Sequence, residues 1–257
     1  MLKGALKLGR DALRYLAFRP SDFRGVYENF AQAEAAAPKR KKVGYNHKDL
    51  ADEYKTKSHF RLSSSDYPVL FYLQRILREQ FTVLDFGGNV GVHYLRYRKY
   101  LNLQEVRWIV CDVPEITKAA RETCAGISNI EFVNDVDEVK VSRLDILLAS
   151  DSIQYIDAEL PGFLLQKLVS KGVLPEHILI DQLPLYHGER FVTLQNGGLV
   201  CYPQHVFNHE QFIKTIEGFS YELIDIWTDN VDSCVVPFHP EKSLSNYKGL
   251  YFLRKPL

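Results

Sequence analysis

From residue 66 onward, short apolar runs alternate with stretches whose apolar positions recur at helical spacing, the pattern of a mostly parallel sheet covered on both faces. A helix beginning near Pro68 and running to about 80 precedes a strand over 81–86. Further strands are predicted at 106–111, 130–133, 144–149 and around 178–180, with helices near 90–101, 114–124 and 160–170. After 181 the alternation stops, because 190–194 and 199–202 flank Gln195-Asn196-Gly197-Gly198, an Asn-Gly hairpin signal. This reads as a β-hairpin insertion at about 182–207. A helix over 209–217 ends at Gly218, and 221–228 and 250–254 lie too close for a crossover helix between them, so they pair antiparallel. The expected architecture is α/β: a mostly parallel seven-stranded sheet with a terminal antiparallel pair.

The first 65 residues follow another pattern. Leu2, Leu6, Leu13, Leu16 and Ala17 recur at near-helical spacing among Lys3, Lys7, Arg10 and Arg14, which predicts a basic amphipathic helix over about the first 17 residues. Such a helix either packs on its own domain with its basic groups solvated or lies on an anionic membrane surface, giving peripheral contact through residues 1–19. Ala35-Ala36-Ala37-Pro38 and Lys39-Arg40-Lys41-Lys42 then read as an exposed basic loop. The chain divides accordingly into an N-terminal helical extension and basic loop at 1–65 and an α/β domain at 66–257.

Charge sharpens this division. The 32 basic and 32 acidic side chains balance overall, which argues against nucleic acid as a partner, yet residues 1–60 carry net +6 and the remainder net −6. Any anionic partner meets the N-terminal segment. Cys111, Cys124, Cys201 and Cys234 form no CxxC pair, so reduced thiols are expected, and no metal site is predicted. No apolar run approaches the roughly 18 residues of a membrane span, and no export signal is evident, so the expected location is cytoplasmic, with the membrane periphery as its variant.

The candidate chemistry centres on Val83-Leu84-Asp85-Phe86-Gly87-Gly88-Asn89-Val90-Gly91, directly after the first strand. Glycines there let backbone approach a nucleotide-type cofactor closely. The dinucleotide fingerprint G-x-G-x-x-G is not met, because Phe86 takes the place of its first glycine. Asp85 is expected beside the bound group, where a carboxylate repels pyrophosphate and attracts a sulfonium; this favours S-adenosylmethionine over NAD. Asp112 ends the second strand, where a carboxylate takes the ribose hydroxyls of either cofactor.

With these features the chain resembles the class I S-adenosylmethionine-dependent methyltransferases, which implies a Rossmann-like methyltransferase fold. A narrower resemblance is to a methyltransferase family associated with bacterial surface-polysaccharide loci. It rests on Gly25-Val26-Tyr27, Gly44-Tyr45-Asn46, the glycine turn, Leu148-Ala149-Ser150 with Gln154-Tyr155, Phe191-Val192-Thr193-Leu194-Gln195, Val206-Phe207-Asn208 and Tyr247-Lys248-Gly249-Leu250-Tyr251-Phe252. The resemblance implies O-methylation of a sugar or lipid-linked saccharide. It also implies that Asp85, Gly87, Gly88, Asn89, Gly91 and Asp112 bind the cofactor, with Asn134 and Asp135 bordering its adenine and Ser150 its methionine portion.

A hydroxyl acceptor needs a base near the strand ends. His205 and His187 are preferred by intrinsic pKa and Asp181 by position, with Tyr155 and Gln154 nearby; the inserted segment is expected to form the acceptor-side wall. Two other readings stand beside this one: an NAD(P)-dependent oxidoreductase or epimerase, and a non-catalytic nucleotide-binding module of the same fold. The first wants a Tyr-x-x-x-Lys pair on a helix, and the nearest spacing, Tyr251 to Lys255, falls on a predicted strand.

Overall fold

The computed structural model describes residues 2–56, 61–158 and 162–256. In chain order its elements are α1 (Leu2–Ala17), β1 (Phe23–Tyr27), α2 (Phe30–Ala35), β2 (Lys42–Val43), α3 (Lys48–Thr56), α4 (Asp66–Ile76), β3 (Thr82–Phe86), α5 (Val92–Tyr97), β4 (Arg107–Cys111), α6 (Pro114–Thr123), β5 (Ile130–Val133), β6 (Ile146–Ser150), α7 (Phe163–Ser170), β7 (His177–Leu183), β8 (Leu185–Tyr186), β9 (Phe191–Asn196), β10 (Val200–Asn208), α8 (His209–Glu217), β11 (Tyr221–Asp229) and β12 (Tyr247–Arg254).

The main sheet has seven strands in the order β11-β12-β7-β6-β3-β4-β5. Pairing is parallel from β7 to β5 and antiparallel at β12 and β11. Every side chain of β3 and of β6 is buried, as central parallel strands covered on both faces require. On one face Leu164, Leu165 and Leu168 of α7 and Phe212 and Ile216 of α8 pack against Leu84, Leu147 and Ile180. On the other, Val69 and Leu73 of α4 and Tyr94 and Tyr97 of α5 pack against Val83, Trp108 and Leu148. The predicted strands and their order hold, with ends moved by a few residues.

The N-terminal segment departs from its predicted form. It is not purely helix and loop: β1 pairs antiparallel with β9, and β2 pairs parallel with β10, giving a second sheet in the order β1-β9-β10-β2. The alanine- and lysine-rich stretch expected as an exposed loop is a loop from Ala36 to Lys41, between α2, which the Asn29 side chain caps, and β2, and Lys41 Nζ donates to Asn196 Oδ1 at 3.1 Å. Strand pairing with the inserted hairpin is what orders it. Two-residue β2 and the Gly-containing β1 are too short and mixed to announce themselves by alternation. Phe23 thereby joins Phe191, Val206, Val236 and Tyr247 in one small core.

Candidate active site

A cavity of about 540 Å3 opens at the carboxyl ends of β3, β4, β6 and β7. The chain leaves β3 for its neighbour β4 on one side and reaches β6 on the other, so the cavity lies where the strand order reverses, the usual ligand position in an open α/β sheet.

The glycine turn forms its floor. Gly87 (φ 71°), Asn89 (φ 56°) and Gly91 (φ 82°) are left-handed. Gly87 and Asn89 line the cavity, and a Cβ on Gly87 would stand 2.3 Å from Ser152 Cβ, so glycine alone fits between these strand ends. Gly88 and Gly91 face inward. A Cβ at 88 would meet Asp85 Oδ2 at 2.4 Å and one at 91 would meet Cys124 Sγ at 3.1 Å, so side chains at these positions strike the protein and not the cavity.

Asp85 lies beneath the turn. It is fully buried, accepts the indole N–H of Trp108 (3.0 Å) and pairs with His93 Nδ1 (2.9 Å), so it cannot sit beside a bound group as the sequence suggested. Its role is to support the turn and to charge its partner. Burial pushes the His93 pKa down, but the Asp85 charge and hydrogen bond outweigh this and hold it above the usual imidazole range. His93 itself lines the cavity together with Arg96, which binds Asp66 Oδ2 at 3.1 Å.

Asp112 is at the cavity wall. Its Oδ2 accepts the Asn89 N–H (2.9 Å) and its Oδ1 the Val113 N–H (2.7 Å), leaving further lone pairs directed to a ligand; burial pushes its pKa up to about 6 against those two bonds. Asn134 and Asp135 do not border the cavity. The Asn134 amide donates to the Asp112 carbonyl (2.9 Å) and to Thr117 Oγ1 (2.6 Å), while Asp135 is exposed, held by Lys167 (2.8 Å) and by the Asp137 N–H (2.9 Å). These side-chain bonds brace the loop after β5.

Ser150 lines the cavity, its Oγ 3.3 Å from Gln182 Oε1. The residue after it, Asp151, is absent from the predicted site. Asp151 has φ 48°, and Gln182, at the end of the adjoining strand, has φ 53°. Two left-handed non-glycine residues side by side are strained, and such strain gathers where function holds a side chain in place. Asp151 Oδ1 accepts from Gln154 Nε2 (2.7 Å) and from the Tyr155 hydroxyl (3.1 Å), which can turn instead to Gln195 Oε1 (3.0 Å). No hydrogen bond among the described residues takes its Oδ2. Asp151 is exposed to the cavity, and the protein packed around it, then the nearby Asp232 charge, raise its pKa well above the ordinary carboxylate value. Its position directly after Ser150 was the available signal.

Above Asp151 stand three tyrosines. Tyr45 stacks on Tyr202 with ring centres 4.4 Å apart, and Tyr155 packs 5.1 Å from each. Burial pushes the phenols of Tyr45 and Tyr155 well up and that of Tyr202 to about 12, so all three stay protonated and donate. Tyr45 comes from the N-terminal segment and Tyr202 from the insertion, so the two chain regions predicted as appendages together build one wall.

The three predicted bases lie elsewhere. His205 is buried between Phe30 (4.6 Å) and Phe207 (5.3 Å), its ring nitrogens without a partner at hydrogen-bond geometry; burial, and then the Arg190 charge, push its pKa down to about 4. His205 is not among the residues lining the cavity, whereas Phe30, which packs on it, is. His187 is exposed on the loop between β8 and β9, its ring 5.0 Å from that of His209. Asp181 is buried behind Gln182, where Oδ1 accepts the Trp227 indole N–H at 2.8 Å.

Burial lifts the Asp181 pKa from 3.8 to about 7, so the folded chain keeps a proton that the unfolded chain has released, and the associated stability is lost as pH rises through that window. Asp181→Asn retains an acceptor for Trp227 and is expected to shrink the fall in melting temperature between pH 5 and pH 8. An unchanged fall would remove Asp181 as its source.

Among the described residues, no group of three or more His, Cys, Asp or Glu side chains is arranged to hold a metal ion. Tyr251 lies within β12, its hydroxyl 2.9 Å from His177 Nδ1, far from the helical setting that a dehydrogenase tyrosine-lysine pair needs.

Solved structures share this fold. The CcbJ methyltransferase of Streptomyces caelestis superposes with a TM-score of 0.53 at 10% identity over 80% of this chain and 96% of its own. The 1,6-didemethyltoxoflavin-N1-methyltransferase of Burkholderia thailandensis, solved with 1,6-didemethyltoxoflavin and S-adenosylhomocysteine, gives 0.51 at 16% identity over 81% and 83%. Magnesium protoporphyrin IX methyltransferase of Synechocystis PCC 6803, solved with bound SAM, gives 0.50 at 12% identity over 82% and 86%. The chain has the Rossmann-like methyltransferase fold. No protein-family model and no curated protein matches it by sequence.

Proposed function

We propose that this protein is an S-adenosylmethionine-dependent methyltransferase acting on an oxygen of a small-molecule acceptor, a sugar or saccharide. The observation that carries the reading is one cavity with Asp112 on its β4 side and the strained, half-satisfied Asp151 on its β6 side. The residues fit the cofactor. In this reading Asp112 takes the ribose hydroxyls, Gly87 and Asn89 allow close backbone approach, and Arg96 with His93 beside it meets the amino-acid carboxylate. When bound, the cofactor supplies a methyl group activated by its sulfonium.

Selection for a sulfonium no longer rests on Asp85, which the turn covers; the Asp151 carboxylate faces the cavity in its place. Asp151 Oδ2 would accept the acceptor's hydroxyl proton as its oxygen takes the methyl carbon and the carbon–sulfur bond breaks to leave a neutral thioether, and Gln154 and Tyr155 hold the carboxylate at Oδ1 so that Oδ2 stays aimed. Tyr45, Tyr155 and Tyr202 offer ring faces and phenolic donors to a polyhydroxylated ring, which supports a saccharide, as does the resemblance to the polysaccharide-associated family.

The test is a calorimetric titration with S-adenosylmethionine, S-adenosylhomocysteine and NADH, followed by screening sugar nucleotides and saccharides for a methyl mass gain. Tight binding of the first two and none of NADH is expected. Binding of NADH alone would overturn the cofactor, and methylation confined to amines or carbon acids would overturn the oxygen acceptor.

A further inference from the structure

Helix α1 presents Leu8, Leu13 and Leu16 to solvent, 62%, 71% and 77% exposed. Leu8 and Leu16 are spaced on one face with Ala12, and Leu13 adjoins it. The helix holds the body of the protein by a different edge. Asp11 is buried and accepts the Phe238 N–H (3.2 Å), Tyr15 packs 5.8 Å from Phe238 and takes Arg24 through its carbonyl (2.6 Å), and Arg14 pairs with Asp22 (3.2 Å). A helix of a globular domain buries its apolar stripe and solvates its polar one. In α1 the apolar Leu8, Leu13 and Leu16 are solvated instead, and Asp11 is buried.

The charge around that stripe decides what covers it. Residues 2–17 contain four basic side chains, Lys3, Lys7, Arg10 and Arg14, spaced at alternating steps of four and three, and one acid, Asp11, which is turned inward. Arg10 is exposed beside the leucines. A two-fold copy seated on the same face would set these cations against their own kind, whereas an anionic lipid surface accepts leucines into its acyl boundary and cations at its headgroups. At the foot of the helix Phe18 packs on Cys201, and Ala37 joins the same cluster, so exposed Lys39 and Arg40 follow from that corner.

We infer that α1 is an in-plane membrane helix that seats the protein on an anionic lipid bilayer. Its placement relative to the cavity is close: in β10, Cys201 faces Phe18 while its neighbour Tyr202 faces the cavity, as alternation along a strand requires. One strand therefore separates the lipid-facing helix from the acceptor wall. The inference stands on exposure and charge and is independent of the methyl-transfer reading.

The experiment is flotation of the full chain with vesicles of phosphatidylglycerol and phosphatidylcholine, against vesicles of phosphatidylcholine alone. Binding to the first, little to the second, and loss at high salt are expected. The leucines are exposed, so Leu13→Glu with Leu16→Glu should leave the melting temperature and S-adenosylmethionine affinity unchanged while weakening vesicle binding by about tenfold or more per leucine. Wild-type protein that stays off anionic vesicles at low salt overturns the inference, as does full binding by the double variant. A concentration-dependent dimer that the double variant dissolves, with no vesicle binding, assigns the face to a second copy instead.

Discussion

Asp151→Asn is expected to lower turnover by roughly 10²–10⁴ while leaving S-adenosylmethionine affinity nearly intact. The asparagine keeps the size of the side chain and an acceptor for Gln154 and Tyr155, but it cannot take a proton. Because the wild-type carboxyl is held well above its usual pKa by the protein packed around it and by Asp232, the wild-type rate should rise with pH as that proton is released. The variant's residual rate should be flat over the same range. Isothermal titration and initial rates across pH check both parts. Unchanged turnover, or a pH limb that survives in the variant, removes Asp151 from proton transfer. The same assay on His205→Ala and His187→Ala should show no such limb moving, since the first, packed on Phe30, does not line the cavity and the second is exposed away from it.

Asp112→Ala should cost about two to four orders of magnitude in affinity for S-adenosylmethionine and S-adenosylhomocysteine, since a carboxylate receiving two hydroxyls contributes about 1.5–3 kcal/mol per bond. The melting temperature of the free protein should fall little, because the Asn89 and Val113 N–H groups left behind open onto the cavity and are wetted. The sign of the pH effect follows from the raised pKa of about 6: hydroxyl donors prefer the ionised form, so wild-type affinity should weaken as pH falls through that value and the variant's should not. Parallel losses of melting temperature and binding would assign Asp112 a structural role only.

Leu13→Glu with Leu16→Glu lies outside the cavity and should leave the Asp151 pH limb in place, whereas Asp181→Asn removes a charge that helps to raise the Asp151 pKa and should move that limb to lower pH.

How much of the site was legible depends on sequence distance. The glycine turn and Asp112 follow directly from β3 and β4, and parallel strands carry whatever ends them to the same edge of the sheet, so Gly87, Asn89, Asp112 and Ser150 come together as expected. Asp85 did not, because alternation turns it under the turn and Trp108 and His93 take its oxygens. Asn134 and Asp135 were placed by chain position after β5, yet their hydrogen bonds to Thr117 and Lys167 spend them on the loop.

What the sequence by itself determined is the sheet: buried apolar runs at fixed spacing, a glycine turn after the first, an acid after the second and a closing pair too near to cross over, each a local pattern with a local physical cause. Only the tertiary structure decided which side chains share the cavity. Tyr45, Asp151, Tyr155 and Tyr202 meet there because β2 pairs with β10 and the hairpin folds back over the ends of β6 and β7, contacts between segments far apart in the chain. Residue type cannot disclose such pairings, since a two-residue strand carries too little pattern to declare its partner, and a histidine with a suitable intrinsic pKa loses its role once the fold packs it on an aromatic ring away from the cavity lining.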